Sequence, residues 1–565
     1  MPPTGRETGF FIRAKSSDVW PPPSRKDRQD HALPSILEPL GPVAVSAAVT
    51  TVVGRIWRGL TDRSEKSSCF ALAATGLFCV ALSLVHYNHE LWRDEIHCWS
   101  VGRNAAGLWD LLTGIRRYDG HPFLWYYVLY LVSRWSRSEV YLHVVTIVLA
   151  TLSAYLWLRH GNLPRVLRLM LLGTYCFFFE YGVLSRSYAL GVFLALLFCR
   201  LYDPRQLRIF RLFVVLVLLS FTSIYGCIMT AALGGFLSWQ SVGKLRSALL
   251  ARRHKRKLYW QWLLGIALVG FALYVHLKTS LPPADAFYST TAAKRPDLFS
   301  SSGFGKQFWS ALFPWNSRND GTWIVSGFIG ERSPWFKQNL LPFAGAVFLL
   351  WLLALRKVPA AAFALFLGVA AMAYFQAHQY TGYFRHWGHF FVLLILSTWL
   401  FAKHDPPRPV LLYCLAAITM AFQIATNVRA VKTEIDLPFS GAQEAANYLR
   451  AQHLDNEPIL ATYDHAASSI AGYLDRKFLW AETGTESQTV VFRKDRYYFP
   501  AERDILVWAQ ATVRDLGRPV LLILNFDLRE SLPTLNADLL YLTKPSLRAD
   551  ETFAIYRLSL QTTPP

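Results

Sequence analysis

The sequence predicts a polytopic α-helical membrane protein that carries a small α/β domain at its C-terminal end. Of its 565 residues, 53% are hydrophobic and 15% aromatic, more than a soluble chain usually carries. Apolar runs close to the roughly 20 residues needed to cross about 30 Å of hydrocarbon recur along it. After residue 426 the pattern changes to short apolar runs alternating with helical periodicity.

Residues 1–66 are Pro-rich and charged, without the pattern of a signal peptide, and read as a cytoplasmic, largely disordered segment. The stretch Val43 to Val53 is too short to span, and a helix at 43–58 would lie weakly on the surface. Spans follow at 68–87, 139–158, 166–183, 187–200, 209–224, 226–241, 258–276, 339–355, 359–376, 388–402 and 409–426, about 11 transmembrane helices in all. They define a catalytic membrane domain over 67–428 and a separate domain over 429–565.

Orientation comes from the short basic loops, since Lys and Arg are retained in the cytoplasm. Arg159, Arg165 and Arg168 lie on one side, as do Arg200, Arg205 and Arg208. The cluster Lys244, Arg246, Arg252, Arg253, Lys255, Arg256 and Lys257 falls there too, with Arg356, Lys357, Lys403 and Arg408. An odd number of spans then exports the tail, placing the chain in the inner (plasma) membrane with its N-terminus cytoplasmic. Residues 427–565 hold 15 Lys and Arg against 18 Asp and Glu, so the formal +20 of the chain is +23 before the tail and −3 within it. Such a split is membrane-orienting charge and excludes a nucleic-acid reading of the basicity.

Cys69, Cys79, Cys98, Cys176, Cys199, Cys227 and Cys414 are mostly inside expected spans, and their spacing implies neither a disulfide framework nor a zinc site.

The first exported loop, 88–138, carries an interfacial helix expected over Val101 to Arg116, with Leu108, Leu111, Leu112 and Ile115 on one face. A second, aromatic helix is expected at Phe123 to Tyr130, too short to cross. A further exported loop at 277–338 reads as a substrate-binding segment. In the tail, helices are expected at 441–452, 466–474 and 501–516, and strands at 459–463, 490–493, 520–524, 539–543 and 553–557. Their alternation favours a layered sheet.

Ionisable groups at a membrane face mark chemistry more often than chance. Asp94 and Glu95, in Trp92-Arg93-Asp94-Glu95, are acceptor-only groups able to take a proton from a hydroxyl. Arg186 and Arg385 offer the planar donor fork that suits a departing phosphate. All these positions fall on the exported side. Each has a plainer reading: a solvated helix start for the acids, snorkelling for the arginines, and a turn for His121 before Pro122. Glu180 reads either as a buried partner of Arg186 or as a second polar group of the site. His386 and His389 have helical spacing, but an aromatic, polar pocket explains them better than a metal.

The runs WRDE, YDGHPFLWY, FEYGVLSRSYALG and GYFRHWGHFF, in that order over residues 68–430, resemble the GT-C superfamily of polyprenyl-phosphate-sugar glycosyltransferases. The similarity is to the branch of lipid A core galacturonosyltransferases and, further off, to aminoarabinose transferases and protein O-mannosyltransferases. The resemblance implies an inverting transfer at the extracytoplasmic face from a polyprenyl-phosphate-linked sugar to a lipid, glycan or protein acceptor, such as lipopolysaccharide or another envelope glycan. It makes Asp94 the catalytic carboxylate, the base for the acceptor hydroxyl, with Glu95 beside it, and Arg186, Arg385 and Lys278 the phosphate-binding groups. Tyr118, His121, Tyr188 and His386 become substrate-binding residues. Several members carry a further acid where this chain has Ser185-Arg186-Ser187-Tyr188, so no metal or other cofactor is expected. The rival reading is a transporter or flippase with an exported accessory domain, which the absence of an internal repeat disfavours.

Overall fold

The computed structural model describes residues 68–250, 256–287, 303–315, 327–407, 409–496 and 500–561, with backbone alone over 243–250 and 256–258. The expected N-terminal segment, the surface helix at 43–58, every side chain of the large basic cluster and the middle of the 277–338 loop lie outside these residues.

The helices are α1 (Ser68–Asn88), α2 (Arg93–Asn104), α3 (Phe123–Ser133), α4 (Val140–His160), α5 (Arg165–Leu172), α6 (Ser187–Leu201), α7 (Ile209–Ser220), α8 (Ile224–Leu250) and α9 (Arg256–Ser280). After them come α10 (Phe304–Leu312), α11 (Leu340–Leu355), α12 (Pro359–His378), α13 (Phe384–Ala402) and α14 (Val410–Asp436). The tail adds α15 (Ala442–Ala451), α16 (Asp464–Leu474) and α17 (Glu502–Leu516). Among the described residues five helices are long and apolar enough to cross a membrane: α1, α4, α9 from Tyr259, α12 and α14. The apolar helices α3, α6, α7 and α11 are shorter. Exposed leucines, valines and aromatics such as Leu77, Val148, Phe271 and Leu349 give the bundle the apolar surface that lipid solvates.

The span expected at 166–183 is not one helix. After α5 the chain turns at Gly173, and one π-helical turn, Cys176–Glu180, follows. Wide i to i+5 bonds mark it, Tyr181 N to Cys176 O at 3.0 Å and Leu184 N to Phe179 O at 3.1 Å. The amide of Cys176 donates instead to Oε1 of Gln423 on α14, 3.1 Å away. An unpaired amide in hydrocarbon is costly, so the side chain replaces the missing ladder partner. The segment still runs the length of α1: the Arg165 guanidinium sits 4.8 Å over the Phe70 ring near one end, and Ser185 reaches Glu95 just past the other.

The interfacial helix expected at 101–116 begins earlier, at Arg93, and breaks at 105–107. A second short helix, Leu108–Thr113, starts where Asp110 Oδ2 accepts from the Ala106 amide at 3.0 Å, a local bond that competes with the helical ladder. The last membrane helix, α14, continues past the boundary expected at 428 to Asp436.

The tail sheet runs, in spatial order, Glu486–Ser487, Phe478–Trp480, Ile459–Ala461, Val520–Leu524, Ala554–Leu560 and Leu535–Leu542. Its strands are β3 (Ile459–Ala461), β4 (Phe478–Trp480), β5 (Glu486–Ser487), β6 (Val520–Leu524), β7 (Leu535–Leu542) and β8 (Ala554–Leu560). A small hairpin earlier in the chain pairs β1 (Pro314–Trp315) with β2 (Gly327–Phe328). Strands β4, β3 and β6 run parallel; β8 is antiparallel to β6 and β7. In β6 the side chains alternate: Val520, Leu522 and Leu524 pack in one core with Ile505, Leu506 and Ala509 of α17, while Leu521 and Ile523 join the larger core with α15, α16 and the membrane helices. No strand forms at 490–493; Arg493 makes only an isolated bridge to Ala286. Helix α16 meets α2 closely, since a Cβ on Gly472 would lie 2.0 Å from Ile96 Cγ2.

Candidate functional site

The site begins at the N-terminus of α2. Trp92 is extended and caps the helix, and Glu95 Oε2 accepts from the Trp92 amide at 3.2 Å, as a third helical residue does in a capping box. Asp94 and Glu95 occupy the first turn, where helical amides favour negative charge. Successive helix positions point in different directions, and the two acids part company.

Asp94 keeps 27% of its side chain exposed and meets two cations: its Oδ2 lies 2.8 Å from Arg186 Nη1 and 3.3 Å from Arg385 Nη2. Burial alone would raise its carboxyl. The guanidiniums of Arg186 and Arg385, helped by Arg93 and Arg548, outweigh burial and hold it well below the usual carboxylate range. Arg186 in turn is held above its ordinary value: burial opposes its charge, and Asp94 is the strongest influence restoring it. The three sequence segments carrying Asp94, Arg186 and Arg385 therefore converge.

Glu95 is fully buried. One oxygen takes the Ser185 amide, and His89 Nε2 lies 3.1 Å from the other. His89 Nδ1 lies 2.7 Å from Glu434 Oε1 on α14. Burial disfavours the imidazolium of His89, but the carboxylates on both sides hold it protonated well above the ordinary range. Glu95 thus fastens the Asp94 turn to the residue before Arg186 and, through His89, to the last membrane helix. Its surroundings are those of a positioning group.

His121 faces the cluster half-buried, its imidazole pushed down to about 4 by burial and then by Arg186. Tyr188 is buried among rings, 6.1 Å from His386, 5.2 Å from His389 and 5.9 Å from Tyr181. His386 Nδ1 accepts from the Tyr383 amide at 2.9 Å, capping α13 just before Arg385, and stacks on Tyr225. Tyr118 points elsewhere, donating to Asp285 Oδ2 at 2.9 Å. Lys278 is exposed at the end of α9, its ammonium 5.9 Å from the Tyr274 ring, and makes none of the described contacts with Asp94 or its arginines. Glu180 is buried and accepts from Tyr175 OH at 2.7 Å.

Other members of the site are not singled out by the sequence, although Asp119 and Tyr126 lie in the run YDGHPFLWY and Arg93 in WRDE. His97, one turn after Asp94, pairs with Asp119 at 2.9 Å, and Tyr126 OH donates to the same Asp119 oxygen at 3.1 Å. The i, i+3 spacing from Asp94 was the available signal for His97. The tail supplies more: Arg93 pairs with Asp550, and its amide donates to Glu551 at 3.3 Å. The Trp92 ring has the Arg385 guanidinium at 5.4 Å and the Arg548 guanidinium at 5.1 Å. Glu551 is buried, and its carboxyl is pushed up to about 7, burial outweighing Arg93. Among the described residues no three His, Cys, Asp or Glu side chains converge to hold a metal ion. The partners of Asp94 are cations, a donor set that would repel one.

No family model matches the chain. No curated protein matches it either. Among solved structures the chain is similar to the crystal structure of ArnT from Cupriavidus metallidurans bound to undecaprenyl phosphate, at 12% identity and a TM-score of 0.49, over 87% of this chain and 98% of that one. A likeness that slight assigns no activity.

Proposed function

We propose that the chain is an integral-membrane inverting glycosyltransferase that moves a sugar from a polyprenyl-phosphate-linked donor to an extracytoplasmic lipid, glycan or protein acceptor. The carrying observation is Asp94 clamped between Arg186 and Arg385 beside the end of a spanning helix.

In the proposed step an acceptor hydroxyl oxygen bonds to the anomeric carbon of the donor sugar. The carbon–oxygen bond to phosphate breaks, its electron pair leaves with the polyprenyl phosphate, and the hydroxyl proton passes to Asp94. An aspartate gripped by two guanidiniums is ionised but a weak base. A phosphodiester entering the site competes for the same donors, and each hydrogen bond transferred to phosphate raises the proton affinity of Asp94. Donor binding thereby activates the base. Guanidinium charge, without a metal, then faces the departing phosphate. His121, Tyr188 and His386 line the same cluster and are assigned to substrate, whereas the described contacts of Tyr118 and Lys278 lie outside it. The reading places the protein in the inner membrane with α2 and the tail on the extracytoplasmic side.

The test is transfer of label by the purified chain from radiolabelled polyprenyl-phosphate sugars to envelope lipids and glycans. Product from wild type and none above background from Asp94→Asn is expected. Equal rates in the two would remove Asp94 as base, and movement of lipid across proteoliposomes without any glycosidic product would replace the reading by transport.

A further inference from the structure

Open α/β sheets bind ligands in the crevice beyond the carboxyl ends of their parallel strands. In the tail that edge is formed by the turn Thr462-Tyr463-Asp464 after β3, by Glu482 after β4 and by Asn525 and Phe526 after β6.

Tyr463 has φ 52° and ψ 52°, the left-handed region that a residue with a Cβ rarely enters. The turn is held there. Glu482 Oε1 accepts from Thr462 Oγ1 at 2.9 Å and from the Asp464 amide at 3.2 Å, bracketing Tyr463 on both sides, and Asp464 is ion-paired with the buried Arg496. Strain maintained by its surroundings gathers at functional sites. Its effect here is to lift a half-buried tyrosine ring to the sheet edge, with the Phe526 ring at 5.6 Å and the His465 ring at 6.0 Å.

The crevice abuts the Asp94 cluster. Asn525 Nδ2 donates to the Asp550 carbonyl at 3.1 Å, and the Asp550 carboxylate pairs with Arg93 and Arg548. Burial is the larger influence on His465, followed by the charges of Arg93, Asp550, Arg548 and Asp94; Asp464 Oδ1 lies 4.0 Å from its Nδ1, and the pKa of the imidazole is lowered to about 4. A neutral imidazole both donates to and accepts from hydroxyl groups. Aromatic faces stack on the C–H face of a sugar ring, and buried carboxylates hold the platform still.

We propose that this crevice, with Tyr463 as its platform and His465 and Phe526 beside it, binds the saccharide headgroup of the acceptor. The word acceptor rests on the glycosyltransferase reading above; the binding of a saccharide ring does not. The exported domain then presents the attacking hydroxyl to a donor anchored at Asp94.

Tyr463→Gly removes the ring while its backbone adopts the same φ without a steric penalty, so the fold is kept; Tyr463→Phe keeps the ring. Saturation-transfer NMR on the full chain in micelles, with methyl hexosides and methyl hexuronides as probes, is expected to show contact with ring C–H protons in wild type and Tyr463→Phe. Contact falls about tenfold in Tyr463→Gly. In transfer assays the acceptor KM of Tyr463→Gly rises about tenfold, with donor KM and kcat within about twofold. Equal saccharide contact in wild type and Tyr463→Gly, no contact in wild type, or an unchanged acceptor KM would overturn the site. Tyr463-dependent contact in a wild-type chain that transfers no sugar would sink the glycosyltransferase reading and leave the saccharide site standing.

Discussion

Two neighbouring carboxylates open onto two different regions of the molecule. Asp94 looks into a half-open cluster of guanidiniums drawn from α2, the segment before α6, the start of α13 and the tail. Glu95 looks into a closed pocket of imidazole and backbone amides between α1, α14 and the turn before Arg186. The difference teaches that position along the chain assigns neither role. In the proposed reaction the charge whose partners can be exchanged for a ligand is assigned the chemistry, and the charge whose partners are all fixed is assigned to hold it in place.

The sharpest way to break the contrast is to neutralise each acid in turn. Asp94→Asn is expected to lower transfer by about 10²–10⁴-fold. Arg186→Ala follows at about 10²–10³-fold, since an oriented donor facing developing charge is removed; Arg186→Lys is expected to recover little, because a point charge cannot reproduce the fork. Glu95→Ala belongs to the other region and should destabilise the chain by about 3 kcal/mol in a denaturation assay, because it removes one of the two carboxylates facing buried His89 and the acceptor of the Trp92 and Ser185 amides. A Glu95→Ala protein with wild-type stability would erase the distinction.

A smaller effect reads the junction with the tail. The Glu551 carboxyl is raised in the fold to about 7 from an ordinary value near 4.5. A group raised in the folded state contributes stability fully below its unfolded value and loses that contribution as pH climbs through the folded one. Docking of the tail is thus expected to be firmest below about pH 4.5 and to weaken toward pH 7, a slope that Glu551→Gln flattens when melting temperature is followed against pH. Smallest of all, Lys278→Ala is expected to leave transfer within about twofold, in keeping with an exposed ammonium that lies against Tyr274.

Much of this was legible in the sequence, for physical reasons. Long apolar runs announce α1, α4, α12 and α14 because burial in lipid is read residue by residue. The convergence of Asp94, Arg186 and Arg385 could be anticipated from their common membrane side. The break after α5 could not: an apolar run looks the same whether its amides bond within a helix or to Gln423. Strand β4 escaped because Phe478 to Trp480 is an apolar run of three residues, shorter than the run that announced Ile459 to Tyr463. The divergence of Asp94 from Glu95 depends on what packs against each face of α2, and those partners come from hundreds of residues away, Glu434 and Glu551 among them.

Gln423 carries one more consequence. It lies on α14, takes the Cys176 amide with its oxygen and gives its nitrogen to the Ala311 carbonyl at 2.6 Å, while Thr426, a turn further on, donates to the Pro314 carbonyl at 2.7 Å. These bonds sit in the apolar interior, where slipping α14 by a single residue would strand every one of them. The same rigid rod leads without interruption to the tail. The height at which the tail stands over Asp94 is therefore gauged from inside the bundle, as a surveyor's staff is read against a benchmark set below ground.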